Sequence, residues 1–183
     1  MIAEPAVIAP EKVFEDAIVS LIHDILRAAG RSYSIVPKFG LDIGMFISDD
    51  NGSYARFIEA KSYAAGRAGG VGFGNGRGEG AQVTMLLCPE SELEVIDKTV
   101  RWVLADATRE SGQARYAFFD CRTAKAAAMA GVARGKQNNL KVSHLSKNYL
   151  TWPKLVNALQ AFVLRGGPSN PRLQDDAPRA ARA

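Results

Sequence analysis

Apolar residues recur at helical spacing over residues 11–29, where Phe14, Ile18, Leu21, Ile22 and Ile25 fall on one face. Pro10 stands at the start of this run and Gly30 follows its last turn. Glu11, Glu15 and Asp16 lie in the first turns, where the helix dipole favours negative charge. The pattern then changes. Residues 32–37, SYSIVP, are apolar and β-branched and predict a short strand. Residues 41–48 alternate loosely up to Asp49-Asp50-Asn51-Gly52, and the Asn-Gly pair is a strong hairpin signal. Residues 53–63 complete the hairpin, so 32–63 reads as three strands.

Residues 66–80 contain eight glycines and predict a mobile loop, because glycine alone does not hold regular structure. A strand is expected over 81–88. Pro89 opens a predicted helix over 89–111, with Leu93, Ile96, Val100, Val103 and Leu104 as its apolar positions. A further strand follows over 113–121 and a short helix over 123–131. A polar, basic stretch leads to a last helix over 151–164, with Pro153 near its start. The fold class expected is α/β, a mixed central sheet flanked by helices, in a single domain over 1–165. From Gly166 the chain is rich in Pro, Gly, Ala and Arg, and 166–183 reads as a disordered tail.

The 183 residues are 47% hydrophobic, which excludes disorder as a whole and suits one domain. Two cysteines, Cys88 and Cys121, are too few for a disulfide scaffold or a paired-cysteine metal site. No stretch reaches the apolar length of a membrane span, and the N-terminus lacks a signal-peptide pattern. A cytoplasmic protein with no membrane partner is therefore expected. The net charge of +4 conceals an asymmetry: residues 1–120 hold 12 basic against 17 acidic side chains, whereas 121–183 hold 11 against 2. A basic C-terminal third on a more acidic body suggests a surface that faces a polyanion.

Three charged residues lie on strands that should otherwise be apolar: Asp42, Glu59 and Lys61. Glu59 and Lys61 are two apart, so their side chains share one face. The hairpin can bring Asp42 beside Glu59, so that two carboxylates and a lysine converge. Such a cluster suits a hard divalent cation, Mg²⁺ or alternatively Mn²⁺, held by Asp42, Glu59 and the backbone carbonyl of Ala60. Lys61 would then orient or help deprotonate a water and stabilise developing negative charge. Taken alone, a Glu-x-Lys pair is an ordinary exposed strand face; the upstream Asp at hairpin distance and the acidic helix before it change that reading.

These residues resemble the PD-(D/E)xK nuclease superfamily, in its Mrr-like and Holliday-junction-resolvase-like branches. The resemblance runs from Phe14-Glu15 through Gly30 to Leu41-Asp42-Ile43 and Ile58-Glu59-Ala60-Lys61, and extends to about residue 121 by order of elements. Gly40-Leu41 stands before Asp42 where the family pattern carries proline. The resemblance implies a restriction-endonuclease-like fold and Mg²⁺-dependent cleavage of DNA, in a restriction, repair or mobile-element setting. It places metal binding on Asp42 and Glu59, water activation on Lys61, and a supporting carboxylate on Glu15, which also reads as a helix-dipole partner. It further implies that two copies can pair to cut two strands, although no homodimer interface is legible.

The glycine-rich loop carries no phosphate-loop signature. It does place Arg67 and Arg77 directly after the Glu59 strand, where they could contact DNA phosphates. Further on, Arg134, Lys136, Asn138, Lys141 and Lys147 lie among amides and aromatics with no acidic residue between them. That mixture suits DNA phosphate and base-edge contacts, and suits a solvated basic loop as well. The leading expectation is a Mg²⁺-dependent endodeoxyribonuclease. The alternative is a DNA-binding module or subunit that keeps a nuclease-like sheet without catalysis.

Overall fold

The computed structural model describes residues 2–37, 41–64, 70–72, 89–132 and 139–164. Helix α1, Glu11–Ala28, follows from its apolar stripe: Phe14, Ile18, Leu21, Ile22 and Leu26 are buried against the sheet. It ends on Gly30, whose φ of 63° is the left-handed conformation that glycine adopts freely. Gly30 N–H bonds Arg27 O and Arg31 N–H bonds Leu26 O, the paired closure that satisfies the last carbonyls of a helix.

Three strands follow, β1 (Ser32–Pro37), β2 (Ile43–Asp49) and β3 (Gly52–Tyr63), as the alternation and the Asn-Gly turn predict. Asp49 pairs with Gly52, so the hairpin loop is only Asp50-Asn51, and the Asp49 carboxylate accepts the Asn51 N–H at 2.8 Å. Strand β4 (Gly70–Gly72) pairs antiparallel with β7 (Asn139–Lys141). Part of the glycine-rich stretch thus holds a strand after all, because a partner strand supplies the hydrogen bonds that glycine's own propensity does not secure.

The predicted helix over 89–111 is corrected. Helix α2 covers only Glu90–Asp97, and Val100–Asp106 is a strand, β5. Leu93, Ile96, Val100, Val103 and Leu104 do have helical spacing. However, the chain turns at Lys98-Thr99 and the run VRWVLAD is buried on both faces, between β3 and β6 (Tyr116–Phe119). A strand covered on both sides shows no alternation, so its periodicity does not distinguish it from a helix. The remaining helices are α3 (Cys121–Val132), the single turn α4 (Val142–Leu145) followed by a 3₁₀ turn at Ser146–Asn148, and α5 (Trp152–Val163).

The result is an α/β domain with a five-stranded mixed sheet, order β1-β2-β3-β5-β6. Only the β3–β5 pair is parallel. One face, with Met45, Ile47, Ile58 and Val103, packs on α1 and α5. The other face, with Trp102, Leu104, Ala117 and Phe119, is covered by α2, α3 and α4 through Leu93, Ala124, Ala127 and Leu145. Residues 2–9 cross the domain as an extended strap: Trp152 Nε1 donates to Ile2 O at 3.1 Å and Ser62 Oγ to Ile8 O at 2.6 Å. Among the described residues no helix is long and apolar enough to cross a membrane. The predicted strand 81–88 and the tail 166–183 lie outside the described residues.

Candidate active site

Strand β3 outruns its neighbour. Its pairing with β2 begins at Ile43↔Ile58, whereas on the other side β3 continues beside β5 as far as Tyr63↔Asp106. Beyond Ile58, therefore, the β2 side of β3 has backbone groups that no strand among the described residues meets, and buried groups of that kind need partners. Asp42, the residue before β2, supplies one. Its Oδ2 accepts the Ala60 N–H at 2.9 Å, and its own N–H donates to Glu59 Oε2 at 3.2 Å. The two strand ends are locked by a reciprocal exchange between side chain and backbone.

Lys61 lies on the same face as Glu59, opposite Leu104, while Glu59 is opposite Trp102. Its Nζ is 2.5 Å from Glu59 Oε1 and 3.2 Å from Asp42 Oδ2. It also donates to the Ala60 carbonyl at 3.3 Å. A fourth oxygen comes from α1, where Glu11 Oε1 is 3.2 Å from Lys61 Nζ. Four oxygens from four residues thus surround one cationic nitrogen. Asp42, Glu59, Lys61 and Ala60 meet at one place, as their spacing predicts.

Glu15, predicted as a supporting carboxylate, makes no contact with this cluster among the described residues. It is buried one turn beyond Glu11 on the same side of α1, and its carboxylate pairs with Lys12 Nζ at 3.0 Å. The acid that reaches Lys61 is Glu11, which sequence reasoning treated only as a dipole partner. The spacing of four between Glu11 and Glu15 was the available signal: both lie on one helical face, and only packing decides which of them reaches the strand.

Burial shapes the electrostatics. Glu59 is fully enclosed, and burial pushes its carboxyl up to about 7; Lys61 opposes that rise and Asp42 adds to it. Burial alone would lower the Lys61 ammonium, but the Glu59, Asp42 and Glu11 carboxylates outweigh it and hold the group above the ordinary lysine range. Among the described residues three carboxylates thus surround this one ammonium. No protein-family model matches the chain, and no match is found among curated proteins or solved structures.

Among the described residues no three His, Cys, Asp or Glu side chains are gathered as a metal cluster. The oxygens converge on Lys61 Nζ instead, and of the carboxylates around it Asp42 stands just before β2 and Glu59 lies where β3 runs on beyond β2. Mg²⁺ is usually held by one or two carboxylates completed by water and phosphate, so Asp42, Glu59 and the Ala60 carbonyl are a donor set of the right hardness and number. The fit requires Lys61 Nζ to give way while remaining close by.

Of the residues predicted to contact DNA, Lys147 is exposed on the 3₁₀ turn. Lys141 lies in β7, where it pairs with Gly70. Arg67, Arg77, Arg134, Lys136 and Asn138 lie outside the described residues.

Proposed function

We propose that the protein is a metal-dependent deoxyribonuclease of the PD-(D/E)xK type. The observation that carries the reading is the convergence of Asp42, Glu59 and the Ala60 carbonyl on Lys61 Nζ at the mouth of the β2–β3 hairpin. The chain order is compatible with it: a helix, three antiparallel strands, a further helix and a strand parallel to β3 build an α/β domain with a mixed sheet, the general class to which a restriction-endonuclease-like fold belongs.

Asp42 and Glu59 would hold a Mg²⁺ or Mn²⁺ ion together with the Ala60 carbonyl. Such an ion supplies a water of lowered pKa and neutralises charge that builds on the phosphorus oxygens. Lys61 orients the attacking water and carries positive charge to the reacting phosphate, because its ammonium lies beside the ligands and stays protonated. Glu11 steadies Lys61 from the helix side. The acidic first two thirds of the chain would thus hold the reaction centre, and the basic C-terminal third would offer cations to the DNA. Paired copies would allow both strands to be cut.

One observation favours a second reading, a DNA-binding module without catalysis. Lys61 already sits among the carboxylates, and Glu59 is fully enclosed, as in a site closed upon itself. The experiment that decides is cleavage of plasmid, linear and branched DNA with Mg²⁺ by wild type, Asp42→Ala and Lys61→Ala. Cleavage by wild type that both substitutions abolish is the expected result. Activity that survives both contradicts the proposed site, and binding without cleavage favours the second reading.

A further inference from the structure

Resting on the nucleic-acid reading above, we propose that Arg109 is a phosphate-binding residue for the strand that leaves the Asp42–Glu59–Lys61 site. The parallel strands β3 and β5 end side by side at Tyr63 and Asp106, on the face that carries Glu59 and Lys61. Tyr63 is two residues beyond Lys61, about 7 Å along the strand, which is about two nucleotides of duplex rise. In open parallel α/β sheets ligands approach at the carboxyl ends of the strands, and β3–β5 is the one parallel pair of this five-stranded sheet.

At that rim the chain builds a held guanidinium. Asp106 is buried, and its Oδ2 takes Arg109 Nε at 3.2 Å. Its other oxygen accepts the Thr108 N–H at 3.0 Å and Thr108 Oγ1 at 2.5 Å, so the carboxylate cannot swing away. The Arg109 guanidinium lies over the Tyr149 ring, 5.0 Å from its centre. The Arg109 carbonyl is itself anchored by Arg115 Nη1 at 3.0 Å. Tyr149 is fixed in turn, because the next residue, Leu150, exchanges backbone hydrogen bonds with Tyr116 of β6.

One edge of the guanidinium is thus occupied and the other is left over. Arg109 Nη1 and Nη2 make no hydrogen bond to the described residues, and the side chain is 44% exposed. An arginine oriented by a buried acid and an aromatic face, with two donors free on one side, matches the oxygens of a phosphate. Lys147, exposed two residues before Tyr149, adds a second cation to the same part of the chain. A turn that needed only an ion pair would not require this double support for a half-exposed side chain.

The test is fluorescence anisotropy of labelled single- and double-stranded oligonucleotides across a salt series in EDTA, so that no cleavage intervenes. Arg109→Gln should weaken binding to every sequence alike and lower the slope of log Kd against log salt by about 1. Lys98→Gln, the same loss of charge at the opposite end of β5, should leave both unchanged. Arg109→Lys keeps the charge without the two-pronged contact, so it should retain the slope and bind with intermediate affinity. Equal affinity and slope for wild type, Arg109→Gln and Arg109→Lys overturns the assignment and leaves the nuclease reading intact. Failure of the wild type to bind any oligonucleotide removes the nucleic-acid reading, and this inference with it.

Discussion

The Lys61 ammonium lies 2.5 Å from a Glu59 carboxylate that has no exposed surface. Charges are rarely enclosed unless they are paired, and a pair at this depth is a poor way to gain stability, because desolvation offsets most of the attraction. Its presence in the buried part of β3, residues 58–62, points to use rather than to strength.

Lys61→Ala removes the ammonium that Glu59, Asp42 and Glu11 share. Breaking a buried pair costs about 3–5 kcal/mol, and urea unfolding at pH 8 should show a loss of that order. At pH 5 the loss should be smaller, since Glu59 then takes up a proton and no longer needs its partner. A loss independent of pH would separate Lys61 from Glu59.

Glu59 leaves its own mark on the pH dependence of stability. Its carboxyl is raised by burial from the ordinary 4.5 to about 7, so between those values the folded chain holds a proton that the unfolded chain has released. That contribution is complete below about 4.5 and disappears as pH rises through about 7. Glu59→Gln should remove the decline across this window, as measured by chemical denaturation at half-unit pH steps.

Glu4 behaves with the opposite sign. Burial alone would raise its carboxyl, but the Tyr116 hydroxyl, the Gly112 N–H and Arg115 hold it below the usual value. Its contribution is present above 4.5 and is lost as pH falls through the lowered value. Glu4→Gln should therefore flatten the acid limb of the stability profile. Glu4→Ala also leaves the buried Arg115 without its carboxylate, at a cost of about 3 kcal/mol.

Cys121 is buried at the start of α3, and burial pushes its thiol up to about 12. In a Cys88→Ser background the folded protein should not react with a maleimide at pH 8, and should react fully once unfolded. Rapid labelling of the native protein would contradict this placement.

What the sequence made legible follows from strong local signals. Phe14, Ile18, Leu21 and Ile22 specify α1, and Asp50-Asn51-Gly52 specifies a turn that sets the register of β2 on β3. That register carries Asp42 to Glu59, so the heart of the site was legible in the hairpin pattern. β5 was not, because Val100, Trp102, Val103 and Leu104 are buried on both faces and their pattern suits either element. The choice of Glu11 over Glu15 at Lys61 was also hidden, since both share one face and the docking of α1 decides between them. The Asp106–Arg109–Tyr149 arrangement was beyond reach: it joins a turn to a residue forty positions later through the pairing of Leu150 with Tyr116.

The central claim is that Asp42 and Glu59 together hold a divalent cation, and calorimetric titration of Mn²⁺ into the full chain at pH 8 tests it most directly. The account predicts one saturable site per chain in the wild type, lost in both Asp42→Asn and Glu59→Gln, with both variants still folded by circular dichroism. Absence of Mn²⁺ binding by the wild type, or binding of equal strength in the two variants, would contradict it.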